Sequence, residues 1–199
     1  MKHRSILLST FLLSISLNLI AQNEPSESKG KFKQENMFAG AGLNLGITGR
    51  SFNIGITPEL GYSITKWLDG GMSLNLNYYS ENASDYSPFR YRNLNYGGGP
   101  FLRIWPLNFL HFQVQPEYNW ISSNVKNVLN NQTSTLNYNA GSLLVGVGYG
   151  SRMLGARYSY VTLMIDVLQN EKSPYRDQYN DPLPVFRAGF GVYLQAKRK

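Results

Sequence analysis

Residues 51–79 hold two runs of apolar–polar alternation interrupted at Lys66-Trp67, and this pattern constrains the chain more than any other feature. Phe52, Ile54, Ile56, Leu60, Tyr62 and Ile64, then Leu68, Met72, Leu74, Leu76 and Tyr78, fall on one parity. Ser51, Asn53, Gly55, Thr57, Glu59 and Ser63, then Asp69, Gly71, Ser73, Asn75 and Asn77, fall on the other. A period of two over runs of about ten residues predicts a β-hairpin with one apolar and one polar face. Strands this long match what a tilted strand needs to cross a bilayer.

The same alternation recurs along the chain. Ala39, Ala41, Leu43, Leu45 and Ile47 oppose Gly40, Gly42, Asn44 and Gly46, and Leu94, Tyr96, Gly98, Pro100, Leu102 and Ile104 oppose Asn95, Gly97, Gly99, Phe101 and Arg103. Leu110, Phe112, Val114, Pro116, Tyr118 and Trp120 oppose His111, Gln113, Gln115, Glu117 and Asn119, and Leu143, Val145, Val147 and Tyr149 oppose Ser142, Leu144, Gly146 and Gly148. Leu154, Ala156, Tyr158 and Tyr160 are read as a seventh apolar face against Gly155, Arg157 and Ser159. Phe186, Ala188, Phe190 and Val192 form the eighth, against Arg187, Gly189, Gly191 and Tyr193. Pro100 and Pro116 each remove a ladder donor, so a bulge or a gap is expected there.

Eight strands whose connections alternate short and long, apart from a tight first turn at Thr48-Gly49-Arg50-Ser51, predict an all-β, eight-stranded antiparallel up-and-down transmembrane barrel. The expected long loops are 80–93, 121–136 and 162–182, with 163–168 prolonging the seventh strand. Short turns are expected near Lys66, Pro106 and Ser151.

Alternation alone does not say which face is outside, because a soluble lipocalin-like barrel has the same period. The charges decide it. Glu59, Asp69, Arg103, Glu117, Arg157 and Arg187 all share the face rich in Gly, Asn, Gln and Ser, and the opposite face carries none. An Arg at the lipid midplane costs about 2–4 kcal/mol. The apolar face is therefore assigned to lipid and the six charges to an interior network. Aromatic girdles are expected from Tyr62, Trp67, Trp105, Phe109 and Tyr149 at one end and from Tyr78, Tyr96, Trp120 and Tyr160 at the other. Only 16% of the 199 residues are charged, below an ordinary soluble domain, while Gly (19) and Tyr (14) are abundant.

Lys2, His3 and Arg4 precede an apolar stretch ending at Ala21, the pattern of a signal peptide over 1–21. Residues 22–36 read as a solvated periplasmic tail, 37–196 as the barrel, and 197–199 as a basic C-terminal tail. The net charge of +7 includes the leader's cations and Lys197, Arg198 and Lys199, and no basic patch interleaved with aromatics appears elsewhere, so nucleic-acid binding is disfavoured. Cys is absent, which removes disulfide and thiol chemistry.

Pro58-Glu-Leu-Gly61-Tyr62, Leu68-Asp-Gly-Gly71 and Gly99-Pro100-Phe101-Leu102-Arg103 resemble the small outer-membrane β-barrel-domain proteins of Gram-negative bacteria, of the OmpX/OmpA size class. The resemblance covers roughly 37–195. It implies the fold and an outer-membrane location with both termini periplasmic, and transfers no catalytic set. Such barrels often end on an aromatic residue, whereas Tyr193-Leu194 is followed here by Gln-Ala-Lys-Arg-Lys.

His111 is the one histidine beyond the leader and lies on the inner face, without the Ser partner that acyl transfer needs, so it is read as a polar core residue. No metal-spaced motif, cofactor loop or catalytic set is found, and the chain is expected not to be an enzyme. The function expected is structural or surface recognition. A filled interior carries loops that offer Tyr86, Phe89, Tyr91, Tyr175 and Tyr179 to a surface protein or to outer-membrane lipid and lipopolysaccharide. The chain is expected to be a monomer. The alternative is a small channel or transport barrel, or a lipid-modifying enzyme.

Overall fold

In the computed structural model, residues 32–47, 51–84, 87–176 and 181–194 are described. The expected signal peptide and most of the expected N-terminal tail, Tyr86, Tyr179 and the C-terminal tail lie outside these residues. Two units are distinguished, one ending at Phe32 and one beginning at Lys33, and the barrel belongs to the second. Within the expected tail, Gln34–Asn36 forms one 3-10 turn.

Eight strands follow in chain order: β1 (Met37–Ile47), β2 (Ser51–Ser63), β3 (Leu68–Glu81), β4 (Phe89–Leu107), β5 (Leu110–Asn127), β6 (Thr133–Met153), β7 (Arg157–Asp166) and β8 (Val185–Tyr193). Each pairs antiparallel with its sequence neighbours, and β1 pairs with β8, so the sheet closes into an up-and-down barrel. Closure removes the free edges that an open sheet would expose.

The connections at the end where β1 starts and β8 finishes are short: 64–67, 108–109 and 154–156. At the opposite end, called here the loop end, two connections are shorter than their polarity suggests. The alternation persists through Ser, Asn and Thr, whose backbones pair as well as those of apolar residues. β3 and β4 therefore extend into the expected loop 80–93, leaving 82–88 as its connection. β5 and β6 absorb most of 121–136, leaving 128–132. Strand β7 runs to Asp166, so most of the 163–168 prolongation is strand, and 167–184 is the long connection.

Pro100 and Pro116 stand opposite one another in the β4–β5 register, and the ladder is interrupted between Gly98–Tyr118 and Leu102–Val114 without a register shift. The interruption follows from two missing donors at one rung. Gly99 brings the strands close there, since a Cβ at that position would lie 1.9 Å from the Pro116 carbonyl oxygen. The one register shift in this pair lies instead between Ile104 and Leu107, around Pro106, and Trp105 keeps the inward parity of Phe101 and Arg103.

Leu60, Met72, Leu74, Leu102, Phe112, Val114, Leu163, Phe186 and Phe190 project outward around the barrel, each at least two-fifths exposed. An uninterrupted apolar belt of this size has no counterpart on an ordinary water-soluble monomer. Trp67, Phe109 and Tyr149 flank it at the terminal end, and Tyr78, Tyr96 and Trp120 at the loop end. Trp105 and Tyr160 were expected in these girdles and are instead buried in the lumen, where polar partners await the indole N–H and the phenol.

The seventh strand also corrects the face assignment. Met153 pairs with Arg157 and Tyr149 with Val161, and the partner of an outward residue is itself outward. Val161, Leu163 and Ile165 therefore face out, Tyr158, Tyr160, Thr162 and Met164 face in, and Arg157 is exposed rather than interior. Reading tyrosine as apolar shifted that strand by one residue, which inverts every side chain.

Candidate functional site

The lumen gathers the buried polar and charged side chains. Five of the six charges expected there are buried in it: Glu59, Asp69, Arg103, Glu117 and Arg187. Arg152, which the sequence assigned to a turn, takes the place expected of Arg157.

Near the terminal end Arg152 reaches from β6 across to Asp69 on β3, its Nη2 also donating to Ser63 Oγ at 3.0 Å and its Nη1 to the Lys66 carbonyl at 2.6 Å. Trp105 Nε1 donates to the other Asp69 oxygen at 2.9 Å, and the Ser63 and Tyr193 hydroxyls meet at 2.9 Å. Above these, Phe38 packs edge-on against Tyr158 and Tyr193, and with Phe101 they form an apolar plug.

The next layer centres on Glu59. Arg103 Nη2 lies 3.1 Å from its Oε2, while the Tyr158 and Tyr160 hydroxyls donate to it at 2.7 and 2.9 Å from the opposite wall. The Arg103 guanidinium also stacks 4.1 Å over the Tyr160 ring. A carboxylate withdrawn from water needs such compensation on all sides. Space for the two rings comes from β8: a Cβ at Gly189 would sit 2.4 Å from Tyr160 Cζ, and one at Gly191 2.3 Å from Tyr158 Cζ.

A relay of amides carries the network upward. Arg103 Nε donates to Gln113 Oε1 at 3.0 Å, Gln113 Nε2 to Gln115 Oε1 at 2.7 Å, and Gln115 Nε2 to Glu117 Oε1 at 2.6 Å. Arg187 crosses from β8, donating to Gln115 Oε1 at 3.1 Å and to Asn44 Oδ1 at 3.3 Å. Its Nη2 lies 3.6 Å from Glu117 Oε1, an ion pair looser than a hydrogen bond. His111 sits in the wall with Nε2 2.8 Å from Thr162 Oγ1 and its ring 4.5 Å from that of Trp105, the surroundings of a core residue.

The loop-end closure comes from the 167–184 connection. Strand β7 stops at Asp166, opposite Leu144, while β6 continues outward to Thr133. The chain then turns into the opening so formed. Ser173 Oγ donates to Asp166 Oδ2 at 2.6 Å, and the Tyr175 hydroxyl donates to Glu117 Oε2 at 2.5 Å. Burial first, and the Glu117 carboxylate second, push the Tyr175 phenol well above its ordinary pKa, so it stays a donor. Tyr175 packs with Leu144, Met164 and Val185 in a small apolar cluster.

These positions change what the loop residues can do. Tyr175 was expected as an exposed contact and is 8% exposed, because the carboxylate beneath it is worth more to the phenol than water is. Phe89, 38% exposed, opens β4, and Tyr91 is half-buried on the lumen-facing parity of the same strand. Among the partners that the sequence missed, Tyr158 and Tyr160 were marked by the odd-numbered apolar run Val161, Leu163 and Ile165, which fixes the parity of β7, and Arg152 by the even, inward parity of Ser142, Leu144 and Gly148 on β6.

A closed barrel that turns an apolar belt outward and pairs the charges of its middle inside is a transmembrane β-barrel with a filled lumen. No protein-family model and no curated protein matches the chain. Among solved structures it is similar to neisserial surface protein A, at 12% identity and a TM-score of 0.46 over 79% of this chain and 96% of that one. It is also similar to Ail, the attachment invasion locus protein of Yersinia pestis, in complex with the heparin analogue sucrose octasulfate, at 8% identity and a TM-score of 0.48 over 78% and 95%. A major outer membrane protein from Thermus thermophilus matches at 14% identity and a TM-score of 0.45 over 78% and 98%. At these identities the likeness is one of fold.

Proposed function

We propose that the chain is an integral outer-membrane protein with a structural or surface-recognition role, neither a pore nor an enzyme. In this reading the ends of β1 and β8 face the periplasm and the connections 82–88, 128–132 and 167–184 face the exterior. The apolar belt with an aromatic girdle at each rim supports membrane insertion. The short turns at the terminal end and the longest connection at the other support the orientation.

The observation that carries the non-conducting reading is the unbroken side-chain network from Glu59 through Arg103, Gln113, Gln115 and Glu117 to Tyr175. It crosses the lumen and is joined by Arg187 from the opposite wall. A hydrated ion needs a continuous polar path, and here the polar groups bind one another. Planar-bilayer recording of the refolded protein tests this directly, with silence expected. A steady single-channel current would favour the transport alternative, and altered lipid A acylation in a deletion strain would favour a lipid-modifying enzyme.

A further inference from the structure

The outward face at the loop end carries an ordered ladder that lumen and belt leave unused. Tyr96 pairs with Trp120 and Trp120 with Asn139; the next rung holds Leu94, Ser122 and Asn137, the next Arg92, Asn124 and Thr135, and the last Arg90, Lys126 and Thr133. Successive rungs on one face are about 7 Å apart. Aromatic side chains at the border of the apolar belt are thus followed outward by amides and then by three cations.

Two observations make this more than a polar rim. Arg90 and Lys126 stand directly opposite each other, an arrangement of like charges that destabilises a sheet. Among the described residues no carboxylate pairs with Arg90, Arg92 or Lys126, and Arg90 Nε is buried without a hydrogen-bond partner. Below the cations, Tyr96 and Trp120 stack at 5.8 Å and 17°, and Tyr118 meets Trp120 edge-on at 5.1 Å. A surface cavity of about 250 Å³ opens beside them, lined by Tyr96, Trp120, Ser122, Asn137 and Asn139 together with Ile121 and Tyr138. Flat aromatic faces beside uncharged amides suit a sugar ring, and unpaired guanidinium and ammonium groups suit phosphate.

We propose that this face binds the phosphorylated sugar headgroup of an outer-leaflet glycolipid. Arg90, Arg92 and Lys126 hold the phosphates, and the cavity beside Tyr96 and Trp120 holds the sugar, while the acyl chains lie along Leu74, Leu76 and Tyr118. A glycerophospholipid satisfies the cations and leaves the amide-lined cavity unused, which is why a glycolipid is favoured. The inference rests on the proposed orientation of the loop end toward the exterior.

The test is titration of the full-length barrel, folded in zwitterionic micelles, with bisphosphorylated lipid A, its dephosphorylated form and phosphatidylglycerol, followed by native mass spectrometry. Bisphosphorylated lipid A is expected to bind about tenfold or more tightly than either control. The R90Q/K126Q variant is expected to lose that preference, and W120A to weaken lipid A while leaving phosphatidylglycerol unchanged. Both variants must keep the heat-modifiable gel shift of the folded barrel. Equal affinity for the three lipids, or an unaltered preference in R90Q/K126Q, overturns the proposal. An epitope inserted at 128–132 reports orientation separately. If antibody fails to reach it on intact cells the outer-membrane reading itself falls, whereas a surface-exposed epitope with no lipid A preference removes this site alone.

Discussion

The Tyr175 hydroxyl sits 2.5 Å from Glu117 Oε2 and so fastens the longest connection of the chain to the middle of the barrel's interior. Replacing Tyr175 by Phe keeps the ring among Leu144, Met164 and Val185 and removes the hydroxyl that donates to Glu117 and accepts a long hydrogen bond from Asn75 Nδ2 at 3.4 Å. A hydrogen bond to a charged group contributes about 1.5–3 kcal/mol, and Glu117 retains Gln115, Asn75 and Arg187 nearby, so the lower part of that range is expected. Limited proteolysis should cut 167–184 faster in the variant while the remaining barrel stays resistant. The pKa raised by burial sets the pH dependence of this fastening. Its contribution is complete below the ordinary tyrosine range and is lost only as pH rises through the elevated value. Wild type and variant should therefore differ in loop protection at neutral pH and converge only under strongly alkaline conditions.

Arg103 is the cation that Glu59 depends on. Arg103→Ala leaves a buried carboxylate with two phenols and no opposite charge, a defect that costs about 3–5 kcal/mol. Urea unfolding in micelles should report that loss. Current through planar bilayers should remain absent, because Phe38, Phe101, Tyr158 and Tyr193 still close the lumen below. The double variant E59Q/R103M should regain most of the stability, since it removes both charges together.

Gly191 and Tyr158 compete for one volume. Gly191→Ala inserts a methyl 2.3 Å from the ring carbon that bears the hydroxyl, and overpacking of this kind costs about 1–3 kcal/mol. Truncating Tyr158 to Ala in the same chain should make the glycine substitution nearly silent. A double-mutant cycle on unfolding midpoints would expose the coupling, and additive effects would show that the two residues do not share that space.

Arg152 and Arg157 lie five positions apart and should respond very unequally to loss of charge. Arg152→Leu removes the partner of buried Asp69, together with its contacts to Ser63 and Lys66, and a clear drop in unfolding midpoint is expected. Arg157→Leu alters an exposed side chain and should change stability by no more than about 0.5 kcal/mol.

The architecture was legible because period-two patterning survives wherever one face meets apolar surroundings, as in Leu60, Leu74 and Phe112. It faltered where a residue type serves both faces. Tyrosine is apolar in bulk and polar at its tip, so Tyr158 and Tyr160 read as lipid-facing although their hydroxyls end on Glu59. Only the neighbouring run Val161, Leu163 and Ile165 carries the parity without ambiguity. Loop polarity misled in a similar way. Ser122, Ser123 and Asn124 are polar and still pair in a ladder, while the connection that truly leaves the wall returns to the lumen through Tyr175. No local pattern announces that return, because it depends on Glu117, far away in sequence.

The unequal lengths of the strands put the shortest backbone ladder where the ring closes. The seam between β1 and β8 runs only from Phe38–Tyr193 to Asn44–Arg187, far shorter than the zipper between β5 and β6, and it joins the first strand to the last. Pairing the strands farthest apart in sequence carries the largest loop-closure entropy in the ring. Two side-chain contacts offset that cost as a latch: Arg187 to Asn44 across the seam itself, and Tyr193 to Ser63, which reaches past β1 to β2.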